Sequence, residues 1–523
     1  MRSIELYDTT LRDGAQSEGV SFSVNDKLKI CERLDTTGIH FIEGGWPGAN
    51  PKDAVFFKKA KGLRLKTSRM VAFGSTRRSG SKANRDSVLK GLLESGTKYI
   101  TLFGKSWDLH VKDVFRVDLE ENLKMIEDSV RFLKSEGRIV FFDAEHFFDG
   151  YNGNKAYALK AVAAAREAGA DRIILCDTNG GTVTSRVFEI VEEVKSVIKT
   201  PLGVHCHNDC DMAVANSVAA IQAGCLQAHG TMNGYGERCG NANLVSIIAN
   251  LKLKLGINCV SDIALRELTE TARFVAEIAN MKLQDNQPFV GNSAFAHKAG
   301  VHVNAILKNP RTYEHVEPNL LGNHRRLLIS ELSGKSAILK KAEEMDINLE
   351  KDPDRSRKIL KLLQDLEHKG YHFESAEASL ELLIKRSMKT FKDFFDLEDF
   401  RVIIEKRKGK PMSSEATIKL KVGKELEHTA SQGDGPVNAL DSALRKALKN
   451  FYPNLSEMHL TDYKVRVLDE KEGTAAKVRV LIQSQDKEGS WWTMGVSENI
   501  IEASWQALVD SVEYKLLKDA KKG

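Results

Sequence analysis

Apolar and polar positions in the first half of the chain repeat one local pattern: a short run rich in Val, Ile, Phe or Thr, a Gly or polar loop, then an amphipathic helical stretch. Eight runs carry it, at residues 4–10, 41–45, 70–75, 99–104, 139–146, 173–178, 202–208 and 227–233. Their spacing of roughly thirty residues is what a strand, a helix and two loops occupy. The stretches between them fit helices: 26–34 carries apolar Leu28, Ile30 and Leu34, and 157–168 is rich in alanine. The pattern predicts an α/β fold, a closed (β/α)8 TIM barrel over residues 1–275. An open doubly wound sheet would carry a glycine fingerprint after its first strand, and Asp13, Gly14, Ala15 and Gln16 stand there instead.

The pattern then changes twice. Residues 276–394 read as helices and long loops, a mostly helical linker region that holds His297, His302 and Tyr313 and then a strongly charged helical stretch at 349–391. Residues 395–523 read as a separate α+β domain, with alternating or β-rich runs at 400–405, 415–422, 463–468 and 476–482 and helical ones at 437–448 and 500–517. Residues 432–436 form a turn or ligand loop, and no internal duplication is evident.

Composition bounds this picture. A chain of 523 residues is long enough for roughly two to four domains. Hydrophobic and charged contents of 42% and 28% are ordinary for a soluble globular protein, and a net charge of +5 on scattered basic residues gives no ground for a nucleic-acid partner. Arg2, Ile4, Leu6 and Asp8 do not make a signal segment, and no apolar run approaches bilayer length, so a cytoplasmic protein without membrane association is expected. Seven cysteines without a disulfide framework favour a reducing compartment. Cys206 and Cys210 are read as small buried hydrophobes, because no second pair completes a zinc set.

In such a barrel the chemistry sits at the carboxyl ends of the strands. Six predicted strand ends carry ionisable or metal-binding groups: Asp8 with Arg12 and Asp13, Glu43, Asp143 with Glu145 and His146, Asp177, His205 with His207, and Glu237 with Arg238. One or two acidic caps would be unremarkable; six are given a functional reading. His205 and His207 alternate along a strand, so both imidazoles share a face. With the Asp13 carboxylate they make a mixed set suited to Mg²⁺, Mn²⁺, Co²⁺ or Zn²⁺ as an open Lewis-acid site.

The run from Asp8 to Gln16, containing Arg12-Asp13-Gly14, resembles the signature of metal-dependent barrel enzymes that make or break carbon–carbon bonds through an enolate. That group includes the isopropylmalate, homocitrate and citramalate synthases, hydroxymethylglutaryl-CoA lyase and the carboxyltransferase domain of pyruvate carboxylase. The stretch from Gly236 through Glu237 to Asn241 resembles a motif of the synthases. The resemblance implies Asp13, His205, His207 and Asn241 as metal ligands. Residues 296–302, followed by Thr312 and Tyr313, resemble the segment that closes over acetyl-CoA in the synthases, and imply proton transfer by His302 and Tyr313. Residues 433–440 and 492–501 resemble their regulatory, dimer-forming module, which implies a homodimer with an amino-acid effector, here isoleucine. The resemblance spans nearly the whole chain.

Two stretches, 42–52 with Trp46 and 143–150 with Glu145, resemble the branch that uses pyruvate, and a bulky Trp46 would narrow the pocket towards a methyl group. The implied reaction is condensation of acetyl-CoA with pyruvate and water, giving citramalate and CoA. Arg12 is then expected to hydrogen-bond the developing alkoxide, Thr178 to hold the carboxylate, and Glu145 to act with His302 and Tyr313 in removing the acetyl proton. Gln16 and Glu43 are expected to orient Arg12 and substrate. A larger 2-oxo acid and a carbon–carbon lyase or aldolase are the competing activities. A non-catalytic scaffold would have lost Arg12, Asp13, His205 or His207.

Overall fold

The computed structural model describes residues 4–298, 300–328, 339, 340, 342, 343, 353–388, 391–468 and 476–521. It divides into two compact units, Met1–Phe295 with His315–Arg325, and Ala296–Glu314 with Arg326–Gly523.

The first unit is built on eight strands, β1 (Glu5–Asp8), β2 (Phe41–Glu43), β3 (Arg69–Ser75), β4 (Tyr99–Lys105), β5 (Ile139–Glu145), β6 (Arg172–Asp177), β7 (Leu202–Cys206) and β8 (Gln227–Gly230). They form a closed barrel, and parallel pairing of β1 with β8 from Glu5↔Gln227 to Asp8↔Gly230 completes the ring. Every predicted run in this half became one of these strands. The sequence reason is burial on both faces: β7 and β8 are buried at every position, as strands sandwiched between helices and a barrel interior must be.

Helices return the chain between strands. Helix α1 (Val24–Thr36) starts where Ser23 and Asp26 form a reciprocal capping box and buries Ile30, Cys31 and Leu34. Helix α2 (Pro51–Ala60) begins with proline in its first turn behind the Asn50 cap. The alanine-rich stretch lies in a helix over Phe147–Glu167, interrupted by non-helical Asn154. A continuous apolar core lies between barrel and helices, and Tyr7, Phe41, Val71 and Phe141 make a separate small cluster on the strands.

The second unit contains two sheets of three antiparallel strands each. Strands Asp396–Glu405, Ser413–Val422 and Glu425–Gly433 precede helix Pro436–Leu448, and strands His459–Val467, Val478–Asp486 and Gly489–Ser497 precede helix Ile500–Ala520. This is one βββα arrangement used twice, which corrects the expectation of no duplication. The repeat lies in topology and period, not in residue identity. Two of these strands went unpredicted. Glu425–Gly433 is largely polar, and Gly489–Ser497 is buried on both faces over much of its length, so neither shows a clean alternation.

The described part of the charged stretch at 349–391 is helical, in two pieces. These are helices Pro353–His368 and Glu377–Arg386, with Gly370 between them at φ +107, in the left-handed region that stops a helix. Residues 349–352, 389 and 390 of that stretch lie outside the described residues.

Candidate active site at the barrel mouth

The carboxyl ends of the strands surround a cavity of about 230 Å³ whose walls include Arg12, Asp13, Gln16, Glu145, Thr178, His205 and His207. These sequence-predicted groups therefore meet there, together with Trp46, Asp143, Glu237 and Arg238. Glu43 sits just behind it, fully buried at the end of β2.

Arg12 organises one side. Its Nε donates to Glu43 Oε1 at 2.6 Å, its Nη1 donates to Asp13 Oδ2 at 3.0 Å, and its guanidinium lies 3.9 Å over the Phe73 ring. Glu43 is fixed in turn by the Tyr7 hydroxyl, which donates to Oε2 at 2.5 Å and also meets Thr101 Oγ1 at 2.7 Å. The Tyr7 ring stacks on His229 at 3.8 Å between centroids. The arginine is thus held on three sides before any substrate arrives. Gln16 reaches the cavity wall from a short 3-10 turn after β1 and stays exposed.

Asp13 Oδ2 also faces both imidazoles, 3.4 Å from His205 Nε2 and 3.9 Å from His207 Nε2. Burial alone would raise the Asp13 carboxyl, but the Arg12 guanidinium and His205 overcome it and hold it well below the usual range. His205 is raised: burial is the largest influence and opposes its charge, but the Asp13 hydrogen bond and the charges of Asp13 and Asp143 together outweigh it. His207 is pushed down to about 4 by burial and by His205, so its ring is neutral and its lone pair available at pH 7.

Donor atoms of Asp13, His205 and His207 all lie within 4.8 Å of one another, and all three residues are buried. Asn241 is brought beside them by a bridge between His207 and Asn241, with Ala242 N–H donating to Cys206 O at 2.9 Å. Gly240, at φ +87, makes the reversal that lays this segment against the end of β7. The Asn241 Oδ1 is buried without a hydrogen-bond partner among the described residues. A carboxylate and two imidazoles converging in one buried corner, with an orphaned buried amide oxygen on the segment bridged to His207, fit a divalent cation.

Thr178, just beyond β6, accepts the His146 N–H at Oγ1 (2.8 Å), which leaves its own hydroxyl proton to donate into the cavity. Its carbonyl accepts from Arg238 Nη2 at 2.7 Å, and Arg238 also grips Asp209 through Nε at 2.7 Å and Nη2 at 2.9 Å. Glu145 forms an ion pair with Lys105 on β4. Lys105, Phe73, Phe103 and Tyr7 were not singled out from sequence. Their signal was position alone, on strands already recognised. Trp46 does line the cavity, edge-on to Phe73 (5.9 Å, 89°) and Phe103 (5.5 Å, 85°).

Two strand ends given a functional reading serve the loops instead. Asp8 accepts from Thr10 N–H at 2.9 Å and Thr10 Oγ1 at 2.8 Å, and Thr10 Oγ1 accepts Met232 N–H at 2.8 Å, tying the loops after β1 and β8. Asp177 accepts from the Thr182 hydroxyl at 2.8 Å. Cys206 is buried in the core as expected, but Cys210 is exposed because it lies in the turn after β7, not in the strand.

His302 and Tyr313 belong to the second unit, where their rings pack at 4.3 Å between centroids, and His297 Nε2 lies 3.2 Å from Glu314 Oε1. Ala299 of that motif lies outside the described residues. No helix among the described residues is long and apolar enough to cross a membrane.

Three family models match the chain: HMGL-like over residues 3–275, the homocitrate synthase post-HMGL domain-like family over 289–370, and the LeuA allosteric (dimerisation) domain over 374–516. The chain is 55% identical to an (R)-citramalate synthase of Aquifex aeolicus (strain VF5), covering 99% of each. It is also 55% identical to one of Geobacter sulfurreducens (strain ATCC 51573 / DSM 12127 / PCA), covering 99% of this chain and 98% of that one. It is 30% identical to a 2-isopropylmalate synthase of Methanocaldococcus jannaschii (strain ATCC 43067 / DSM 2661 / JAL-1 / JCM 10045 / NBRC 100440), covering 99% and 96%. An HMGL-like barrel followed by a LeuA domain, and this identity over its full length, mean that the chain belongs to the citramalate synthase family within the HMGL-like enzymes.

Proposed function

We propose that this acyltransferase condenses acetyl-CoA with pyruvate and water to give (R)-citramalate and free CoA. The observation that carries the reading is identity of 55% over 99% of both chains to an enzyme named for that product.

Asp13, His205, His207 and Asn241 would hold a divalent metal, Mg²⁺, Mn²⁺, Co²⁺ or Zn²⁺, in the corner described above. When bound, it supplies Lewis-acid polarisation of the keto group. The remaining chemistry falls to side chains. Arg12, pre-set by Glu43 and Phe73, donates to the oxygen on which charge develops, so no reorganisation is needed at the moment of reaction. The Thr178 hydroxyl donates to the pyruvate carboxylate. Glu145, charge-paired with Lys105, works with His302 and Tyr313 to take the acetyl methyl proton. The enol attacks the keto carbon, and water then hydrolyses the thioester, which makes the sequence irreversible. Gln16 and Glu43 orient Arg12 and substrate.

The same reading divides the chain into a catalytic barrel (1–275), a linker region completing the acetyl-CoA site (276–394) and a regulatory, dimer-forming domain (395–523). The three family models support that division. It carries a homodimer and feedback by isoleucine, supported by the LeuA allosteric (dimerisation) match. A cytoplasmic setting is supported by cysteines that are all free.

The deciding experiment offers pyruvate, 2-oxobutyrate, 2-oxoisovalerate and 2-oxoglutarate with acetyl-CoA and follows CoA release with a thiol reagent. Pyruvate should give the highest kcat/KM. A preference for 2-oxoisovalerate would make the enzyme an isopropylmalate synthase, and CoA release from none would end the reading. His207→Ala should lose metal in equilibrium dialysis together with turnover.

A further inference from the structure

The barrel mouth holds a second cavity beside the first. It measures about 450 Å³ and lies between the segments that follow β3 and β4, against Arg77, Phe115, Val117 and Met125. Trp46, Phe103 and Glu145 line both cavities, so they form the wall between them.

The chemistry on the two sides differs. The smaller cavity carries Arg12, Asp13, His205 and His207. In the larger one Arg77 pairs with Glu121 at 3.0 Å and with Asp128 at 2.8 Å, Lys105 pairs with Glu145, and Arg78 is exposed at the surface. Ser75, Thr76 and Ser79 also line it, but Phe115, Val117 and Met125, with Trp46 and Phe103, give it an apolar side that suits an alkyl chain.

Trp46 is well fixed. Its indole stands edge-on to Phe73 and Phe103, and its backbone N–H donates to Asp53 Oδ2 at 3.0 Å. Asp53 is itself locked to the buried Lys27 ammonium at 2.5 Å. The Trp46 Nε1 is buried without a hydrogen-bond partner among the described residues, so the ring is held by packing and by its anchored backbone.

Resting on the proposed condensation, we infer that Trp46 sets the length of 2-oxo acid the enzyme accepts, by closing the smaller cavity off from an apolar one already built behind it. Its indole stands where the carbons beyond the methyl of pyruvate would pass. Shortening it joins the two spaces and gives a straight alkyl chain a path towards Val117 and Met125.

The test uses the full-length enzyme and compares kcat/KM for pyruvate, 2-oxobutyrate and 2-oxopentanoate in wild type, Trp46→Ala, Trp46→Leu and Trp46→Ala/Val117→Phe. Each methylene in an apolar pocket is worth about 10- to 200-fold in discrimination. The ratio of 2-oxopentanoate to pyruvate should therefore rise at least about tenfold in Trp46→Ala. It should fall back when Val117→Phe refills the second space, a reversal that general loosening would not give. Trp46→Leu keeps an apolar side chain and serves if the alanine variant fails to fold. An unchanged ratio in both single variants overturns the inference. So does an unchanged ratio with a raised KM for acetyl-CoA, which would give the second cavity to the thioester. Failure of the parent reading is separate, since wild type would then release no CoA with pyruvate.

Discussion

The ion pair beneath Trp46 should be the most destructive place to remove a single charge in the barrel. Lys27 and Asp53 side chains are 3% and 7% exposed, and their Nζ–Oδ1 distance is 2.5 Å. The ammonium also donates to Gly44 O at 3.0 Å, and the other carboxylate oxygen accepts the Trp46 N–H at 3.0 Å. Gly45 completes the turn at φ +139, where a Cβ would run into the Asp53 carboxylate. Asp53→Leu strands a buried ammonium, which costs about 3–5 kcal/mol. It also frees a backbone N–H, for about 1 kcal/mol more. Lys27→Met strands the carboxylate and should cost about 3–5 kcal/mol. The double variant removes both charges and should cost well under the sum, leaving a coupling energy of about 2–3 kcal/mol. Urea unfolding of the full chain at pH 7, followed by far-ultraviolet circular dichroism, measures all four corners of the cycle. Single variants within about 1 kcal/mol of wild type, or strictly additive ones, would show that the pair is not energetically closed off from water and would refute the reasoning.

Arg12→Lys keeps the charge but loses the fork that reaches Glu43 and Asp13 together, so kcat should drop about 100- to 1000-fold, and an enzyme with near-normal kcat would remove Arg12 from the reaction. Asp8 is pushed up to about 7, first by burial and against the Thr10 hydrogen bonds, so the folded state holds a proton that the unfolded chain releases near pH 4. Its contribution makes stability fall as pH rises from about 4 to about 7, and Asp8→Asn should lessen the loss between pH 5 and 8 by about 2–3 kcal/mol in urea titrations; parallel wild-type and variant curves would contradict this. Isoleucine should inhibit the enzyme, and Gly435→Glu, placed where a Cβ meets nothing within 4 Å at the strand-to-helix turn, should blunt that inhibition while leaving uninhibited turnover intact.

Period and position made the barrel legible, because each strand is a short apolar run followed by a polar end. The same alternation placed His205 and His207 inward together and Cys206 outward into the core. Long-range pairing was not legible. Arg12 meets Glu43 across 31 residues, and Lys105 meets Glu145 from the neighbouring strand, contacts that depend on the pairing of neighbouring strands and not on local pattern. For that reason Asp8 and Asp177 were read with the chemistry: a buried loop-tying carboxylate and a reacting one look alike until their hydrogen-bond partners are known. The repeated βββα arrangement was hidden because its strands share topology without sharing sequence.

The barrel's interior changes character along its axis, and this is what lets one strand alternation serve both packing and chemistry. At one level, Tyr7, Phe41, Val71 and Phe141 fill the space with rings and a branched chain. One step nearer the mouth, Glu43, Thr101 and Asp143 are buried polar groups. Tyr7 joins the two levels, because its ring packs at 6.1 Å from Phe41 while its hydroxyl donates to Glu43. Burial of Glu43 is tolerable only because Arg12 and Tyr7 satisfy it, and Arg12 is rigid only because Glu43 is buried. Asp143, with no arginine hydrogen bond of its own, is pushed up to about 7 by burial and then by Glu43, against the pull of His205 and Arg12. Both carboxylates point into one ring, and only Glu43 takes a hydrogen bond from the arginine.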